Sequence, residues 1–315
     1  MIHKAFFNAN FITFTVMFLK SDNKGLNDTP RYLITFGCVI ASFAIIGYLP
    51  ISLLIGDLTD KGIELKQIED LQYYIGLNSF FIYLLMPFII GFFTLLACVK
   101  YIHKRNVLSV FTNRESFDWK RFFFSFSIWG GVMLLFFVIS YLAGYPIYWN
   151  YKPSSFFVLV LISIFILPIQ TTFEEVFFRG YLFQGLDTIF KKRIISVLIT
   201  GALFGLMHGS NPEVEKIGMI LLVFYILNGI FLGLIVLMDD GLELSMGYHT
   251  INNIFAAIVV TNDWQAFHTD ALFIDKSAPE FGIENILTLL VIQPVLIYIF
   301  SKKYKWSNWK QKLFN

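Results

Sequence analysis

The sequence predicts an all-α, polytopic membrane protein with about eight transmembrane helices, and three observations carry that prediction. Of 315 residues, 57% are hydrophobic and only 15% are charged, against roughly 25% charged in an ordinary soluble domain. The mean hydropathy is +0.67. The charges are also bunched, leaving uncharged blocks longer than a buried core helix needs, and about 20 apolar residues cross the hydrocarbon core of a bilayer. A soluble globule is excluded. The net charge of +2 argues against nucleic-acid binding, and Cys38 and Cys98, the two cysteines, lie in apolar runs that leave no disulfide framework.

Taken in order, the block at 5–19 is short, is interrupted by Asn8 and Asn10, and lacks a small-residue cleavage site. It is expected to lie on the membrane as an interfacial helix rather than to act as a signal peptide, with a short ninth span as the alternative. Eight longer blocks follow at 32–56, 71–99, 122–151, 153–173, 194–212, 217–238, 244–262 and 285–301, each read as a span. Only the connections at 57–70 and 263–284 are long enough for small extramembrane structure. With no internal repeat or linker, residues 1–315 are expected to form a single membrane domain. Lys and Arg in the connections set orientation. With a cytoplasmic amino terminus, 18 fall inside and five outside (Lys61, Lys66, Lys152, Lys216, Lys276), which predicts both termini in the cytoplasm. The tail at 302–312 interleaves Trp306 and Trp309 with lysines, as expected of a snorkelling anchor on an anionic leaflet.

The informative residues are charges inside the spans. The fourth span is expected to continue as one unbroken helix from Ser154 to about residue 190, which places Glu174, Glu175 and Arg179 within the membrane. Each ionised group there costs a few kcal/mol or more, so such residues are paired and face the bundle interior. Glu175 and Arg179, four apart, share a helix face; Glu174 points elsewhere and needs another partner. Counting from the turn at Lys191–Arg193, Glu174 and His208 lie at nearly one depth and are expected to meet. Gly201 and Gly205 form a small-xxx-small surface that permits close helix approach, and Phe204 shares the face of His208. The seventh span adds His249 and Asn253, four apart, at an overlapping depth. His3, His103 and His268 lie outside the spans and are expected at the surface.

A carboxylate and a histidine can hold and deprotonate a water, while a second histidine and a carboxamide can donate to a developing oxyanion. Glu174, His208 and His249 would equally serve as three ligands of a catalytic zinc with water in the fourth position. The order EExxxR (Glu174, Glu175, Arg179), FxxxH (Phe204, His208), HxxxN (His249, Asn253) on successive membrane helices resembles the CAAX prenyl endopeptidase and bacteriocin-processing family, also called CPBP or Abi, over roughly residues 155–260. The resemblance implies a CAAX-protease-like helical bundle and an intramembrane endopeptidase acting on a membrane-associated peptide or protein. Carried over, Glu174 is the general base, His208 its partner, and His249 with Asn253 the oxyanion hole. Glu175, Arg179 and Phe204 support them. The resemblance leaves a metal-free and a zinc-dependent version open. The short, Phe- and Ile-rich chain reads as a protein of a bacterial cytoplasmic membrane. The alternative is a non-catalytic membrane scaffold or bacteriocin immunity factor; a cation transporter fits less well, because there is no inverted repeat.

Overall fold

All eight long apolar blocks form helices in the computed structural model, which describes residues 25–314. The 5–19 block and His3 lie outside the described residues. Helix α1 (Thr29–Asp60) opens on Asp28, whose side chain accepts the Arg31 N–H, and passes through a π-helical stretch at Ser42–Gly47. Then come α2 (Leu77–Tyr101), α3 (Trp119–Leu142), α4 (Pro153–Phe190) and α5 (Arg193–Met207). They are followed by the short α6 (Pro212–Ile217), α7 (Met219–Asp239), α8 (Glu243–Ile258), α9 (Ile283–Lys303) and the terminal α10 (Trp309–Phe314). The chain is therefore a multi-pass membrane protein. Among the described residues, six helices, α1, α2, α3, α4, α7 and α9, are long and apolar enough to cross a bilayer. The blocks at 194–212 and 244–262 yield shorter helices, α5 with 15 residues and α8 with 16. At 1.5 Å per residue these reach about 22 and 24 Å.

Helix α4 is the axis of the core. Its residues from Phe173 to Gly185 are buried almost without interruption and pack against α1, α2, α5 and α8. By contrast α3 turns Leu134, Leu135, Ile139 and Leu142 outward. In lipid this costs nothing, since the tails are as apolar as the side chains.

Several elements depart from the sequence expectation. The fourth span is not one unbroken α-helix: Pro168 has no N–H to offer Ile164, so the first stretch ends at Phe165 and a second begins at Leu167. Directly after Glu175 the helix widens into π geometry over Val176–Leu182, the kind of local distortion that frequently marks functional sites. The 122–151 block is helical only to Leu142, because Gly144 takes φ 83° and turns the chain. Strand β1 (Ile147–Trp149) then pairs antiparallel with β3 (Phe273–Asp275), which pairs parallel with β2 (Val260–Thr261). The tail is not a free anchor: Trp306 donates to Asp239 at 2.9 Å, and buried Lys312 donates to the Met238 carbonyl at 2.9 Å. The last carbonyls of α7 lack helical partners and form the negative end of its dipole, so a lysine docks there. His103 is likewise buried, between the Leu26 carbonyl and the Tyr181 hydroxyl, and His268 is half-buried against Gln72.

The α5–α7 contact uses the glycines singled out in the sequence. A Cβ at Gly205 would sit 2.5 Å from Ile226 N and 2.6 Å from its Cα, and one at Gly201 would sit 2.7 Å from Ile230 N. Backbone cannot yield as a side chain does. Gly205→Ala is therefore expected to destabilise the protein by about 1–3 kcal/mol, while Gly131→Ala, which meets nothing within 4 Å, has no such cost; thermal unfolding of the two variants in detergent checks the contrast.

The small strand cap formed by β1, β3 and β2 carries a pH-dependent element in the connection from β2 to β3. Burial pushes the Asp270 carboxyl up, but hydrogen bonds from Lys152 (2.6 Å) and Ser155 outweigh it and hold the group below its ordinary value of 3.8. A depressed folded-state value stabilises above the unfolded pKa and loses that contribution as pH falls through the folded one. The melting temperature of Asp270→Asn is thus expected below that of the wild type at neutral pH, with the gap closing only as pH drops below 3.8.

Candidate active site

The polar cluster is built around Arg179, whose side chain is fully buried, as is that of Glu175. Arg179 Nη1 donates to Glu175 Oε1 at 2.9 Å, and Nη2 donates to the Gly229 carbonyl of α7 at 3.2 Å. The guanidinium carbon stands 4.0 Å from the ring centroid of Phe204 on α5. One cation is thus met by a carboxylate, a carbonyl and an aromatic face from three helices. The same Glu175 Oε1 accepts a second hydrogen bond, from His249 Nδ1 on α8, at 2.9 Å. An ionised carboxylate only accepts, so Nδ1 carries the proton and Nε2 is turned the other way.

What Nε2 meets is Glu174, whose Oε2 lies 3.4 Å away. This Oε2 is buried and makes no hydrogen bond to protein, and such an orphaned acceptor calls for a functional reason. Glu174 therefore pairs with His249. No hydrogen bond or ion pair joins it to His208 among the described residues, in contrast to the meeting expected from equal depth. His208 caps the C-terminus of α5, where its Nδ1 bonds the Phe204 carbonyl at 2.8 Å. A carbonyl only accepts, so His208 also carries its proton on Nδ1 and presents Nε2 as an acceptor. Both imidazoles touch one ring: Phe204 lies 4.7 Å from His208 and 5.8 Å, edge-on, from His249 between centroids. Asn253, buried one turn beyond His249, donates from Nδ2 to Gln170 Oε1 at 3.0 Å.

Several participants escaped the sequence reading. Gln170 lies one helical turn before Glu174, and its four-residue spacing within an apolar block was a usable signal. Thr171 and Thr250 join α4 to α8 through their hydroxyls at 3.0 Å. Tyr225 stacks on the His208 ring with centroids 4.4 Å apart and donates to buried Glu213 at 2.8 Å. Glu213 also accepts from Asn211 and from the Ala266 N–H, so it ties the turn after His208 to the strand cap. A tyrosine in an apolar helix gives no sequence cue to that role. As for a metal, no three His, Cys, Asp or Glu side chains converge as ligands among the described residues.

Removing one partner of a buried ion pair strands the other charge. Arg179→Met is expected to destabilise the fold by about 3–5 kcal/mol, and Arg179→Lys to recover little, because a point charge cannot serve Glu175, Gly229 and the Phe204 ring together. Replacing both partners, Glu175→Gln with Arg179→Met, is expected to restore part of the loss; thermal unfolding of the three variants checks the order.

Comparison with known proteins bears on the region that holds this cluster. Residues 153–255 match the family model described as Rce1-like, type II CAAX prenyl endopeptidase. The chain is 30% identical over 165 residues to the uncharacterized protein YyaK of Bacillus subtilis, a stretch covering 52% of this chain and 55% of that protein. The chain thus spans about half the length of this curated relative. No solved structure matches. Glu174, Glu175, Arg179, Phe204, His208, His249 and Asn253 all fall inside residues 153–255, the segment in which the chain is similar to the Rce1-like type II CAAX prenyl endopeptidases.

Proposed function

We propose that the protein is an intramembrane endopeptidase that hydrolyses a peptide bond in a membrane-associated peptide or protein. The observation that carries the reading is the buried, hydrogen-bond-free Oε2 of Glu174 beside His249 Nε2, whose imidazole is held from behind by the Glu175–Arg179 pair. The family is one of proteases, which supports a hydrolase at that level.

In this reading Glu174 takes a proton from the attacking water, and the Nε2 lone pair of His208 accepts the water's other hydrogen. In its doubly protonated form His249 would donate from Nε2, alongside the Asn253 carboxamide, to the oxyanion that forms on the scissile carbonyl. Collapse of the tetrahedral intermediate returns the proton from Glu174 to the departing amine. The donor set of Glu174, His208 and His249 is chemically suited to zinc, but their present arrangement does not gather them round one point, and no step is routed through a metal. The basic-residue count supports an orientation with both termini in the cytoplasm, and the composition supports a bacterial membrane.

Comparative peptidomics of cells carrying wild-type or Glu174→Gln protein tests the reading. The isosteric change keeps volume and removes the base, and peptide release is expected to fall at least about 10²-fold. Equal product in both strains at equal abundance would sink the assignment. Metal content of the purified protein, with chelation and re-addition, decides between the zinc and metal-free versions.

A further inference from the structure

Helix α3 carries no chemical motif, yet it reaches the site through a chain of side-chain amides. The Trp129 indole Nε1–H donates to Asn252 Oδ1 at 3.2 Å. Asn252 Nδ2 donates to Asn253 Oδ1 at 3.2 Å, and Asn253 Nδ2 donates to Gln170 Oε1 at 3.0 Å. Trp129, Asn253 and Gln170 are all buried.

The direction of this chain matters because a carboxamide is nearly symmetric in shape. Exchanging its oxygen and nitrogen ends changes little sterically, so its neighbours' hydrogen-bonding capacity decides which way it points. A hydroxyl or another carboxamide can either donate or accept and decides nothing. An indole N–H only donates. Trp129 therefore draws the Asn252 oxygen to itself, which turns the Asn252 NH2 toward Asn253. The Asn253 oxygen is thereby taken, and its NH2 edge faces α4 at Gln170, one turn before Glu174. The anchor is itself held independently of this bond, since the Trp129 ring stacks on Tyr248 with centroids 4.5 Å apart and planes 20° from parallel.

We propose that Trp129 and Asn252 are positioning residues that lock the Asn253 carboxamide with its donor edge toward the Glu174 site, as oxyanion stabilisation requires. A reversed amide would present a lone pair to the developing negative charge. The consequence for rate rests on the peptidase reading; the orientation itself does not.

The test uses the full chain in lipid nanodiscs with two variants. Trp129→Phe keeps an aromatic ring against Tyr248 and removes the N–H together with part of the ring volume; Asn252→Asp keeps both the ring and the shape but cannot donate to Asn253. With selective asparagine 15N labelling, the Asn253 side-chain signal is identified by its loss in Asn253→Asp. Trp129→Phe is expected to shift that signal through the Asn252 relay. Kinetics are read on a quenched fluorogenic peptide ending in a farnesylated CAAX sequence. There kcat is expected to fall about tenfold in each variant with KM within twofold, and the double variant to be no slower than the slower single one. An unmoved Asn253 signal, an unchanged kcat, or losses that multiply in the double variant would overturn the proposal. A signal shifted in Trp129→Phe, where the wild type itself cleaves nothing, supports the orientation and counts against the peptidase reading alone.

Discussion

A guanidinium buried among apolar helices has no water to fall back on, and the structure around Arg179 follows from that constraint. Its hydrogen bonds and its ring contact come from α4, α7 and α5. Each requires close approach: the Gly229 carbonyl is presented where α7 and α5 touch at the paired glycines, Gly229 against Gly201. Bulkier residues at these positions would push the carbonyl away and leave a buried charge short of partners, a loss of several kcal/mol. Glu175, fixed by this cation, has one oxygen that serves two donors, and through the second it orients His249 on α8. A single buried charge thus sets the relative placement of four helices and the tautomer of an imidazole.

The spans were legible because lipid imposes so plain a demand: every long uncharged block contains a helix. So was the Glu175–Arg179 pair, which needs only helical periodicity. Boundaries set by backbone chemistry were less legible. The break before Leu167 comes from Pro168 and the end of α3 from Gly144, both small signals inside strongly apolar blocks. The pairing of Glu174 with His249 instead of His208 depends on helix rotation and tilt, and counting residues from a turn fixes depth alone. The tail misled for another reason: alternating Trp and Lys suits a lipid surface and a helix end equally, and the exposed carbonyls of α7 decided between them. Trp129, Tyr225 and Glu213 act through hydrogen bonds between elements far apart in sequence, where periodicity carries no information.

Among the helices formed by the eight long blocks, α5 and α8 are the shortest; His208 caps α5, and α8 carries His249 and Asn253. A helix that ends inside the thickness of the bundle leaves polar backbone that must be satisfied within protein or by water. At the end of α5 this is done by the His208 ring on the Phe204 carbonyl and by the His208 and Gly209 N–H groups, which donate to the Gly205 and Leu206 carbonyls. At the start of α8, Glu243 is fully buried and held by Arg114 at 2.9 Å. Short helices thereby bring polar groups to a depth that a full-length apolar span would fill with hydrocarbon.

The remaining question is how one small cluster keeps acceptors and donors apart in a medium of low dielectric, where a wrongly turned dipole is costly. Here the sorting follows the helices. The acceptors, Glu174 Oε2 and His208 Nε2, belong to α4 and to the end of α5: Glu174 Oε2 makes no hydrogen bond and has His249 Nε2 beside it at 3.4 Å, and the Phe204 carbonyl holds the His208 proton on Nδ1. The donors belong to α8, where Glu175 orients His249 and Asn252 orients Asn253. In the proposed hydrolysis, water is activated from one wall and the oxyanion is stabilised from the other. The helix interface between those walls, lined by Phe204, is then where a scissile peptide has to lie.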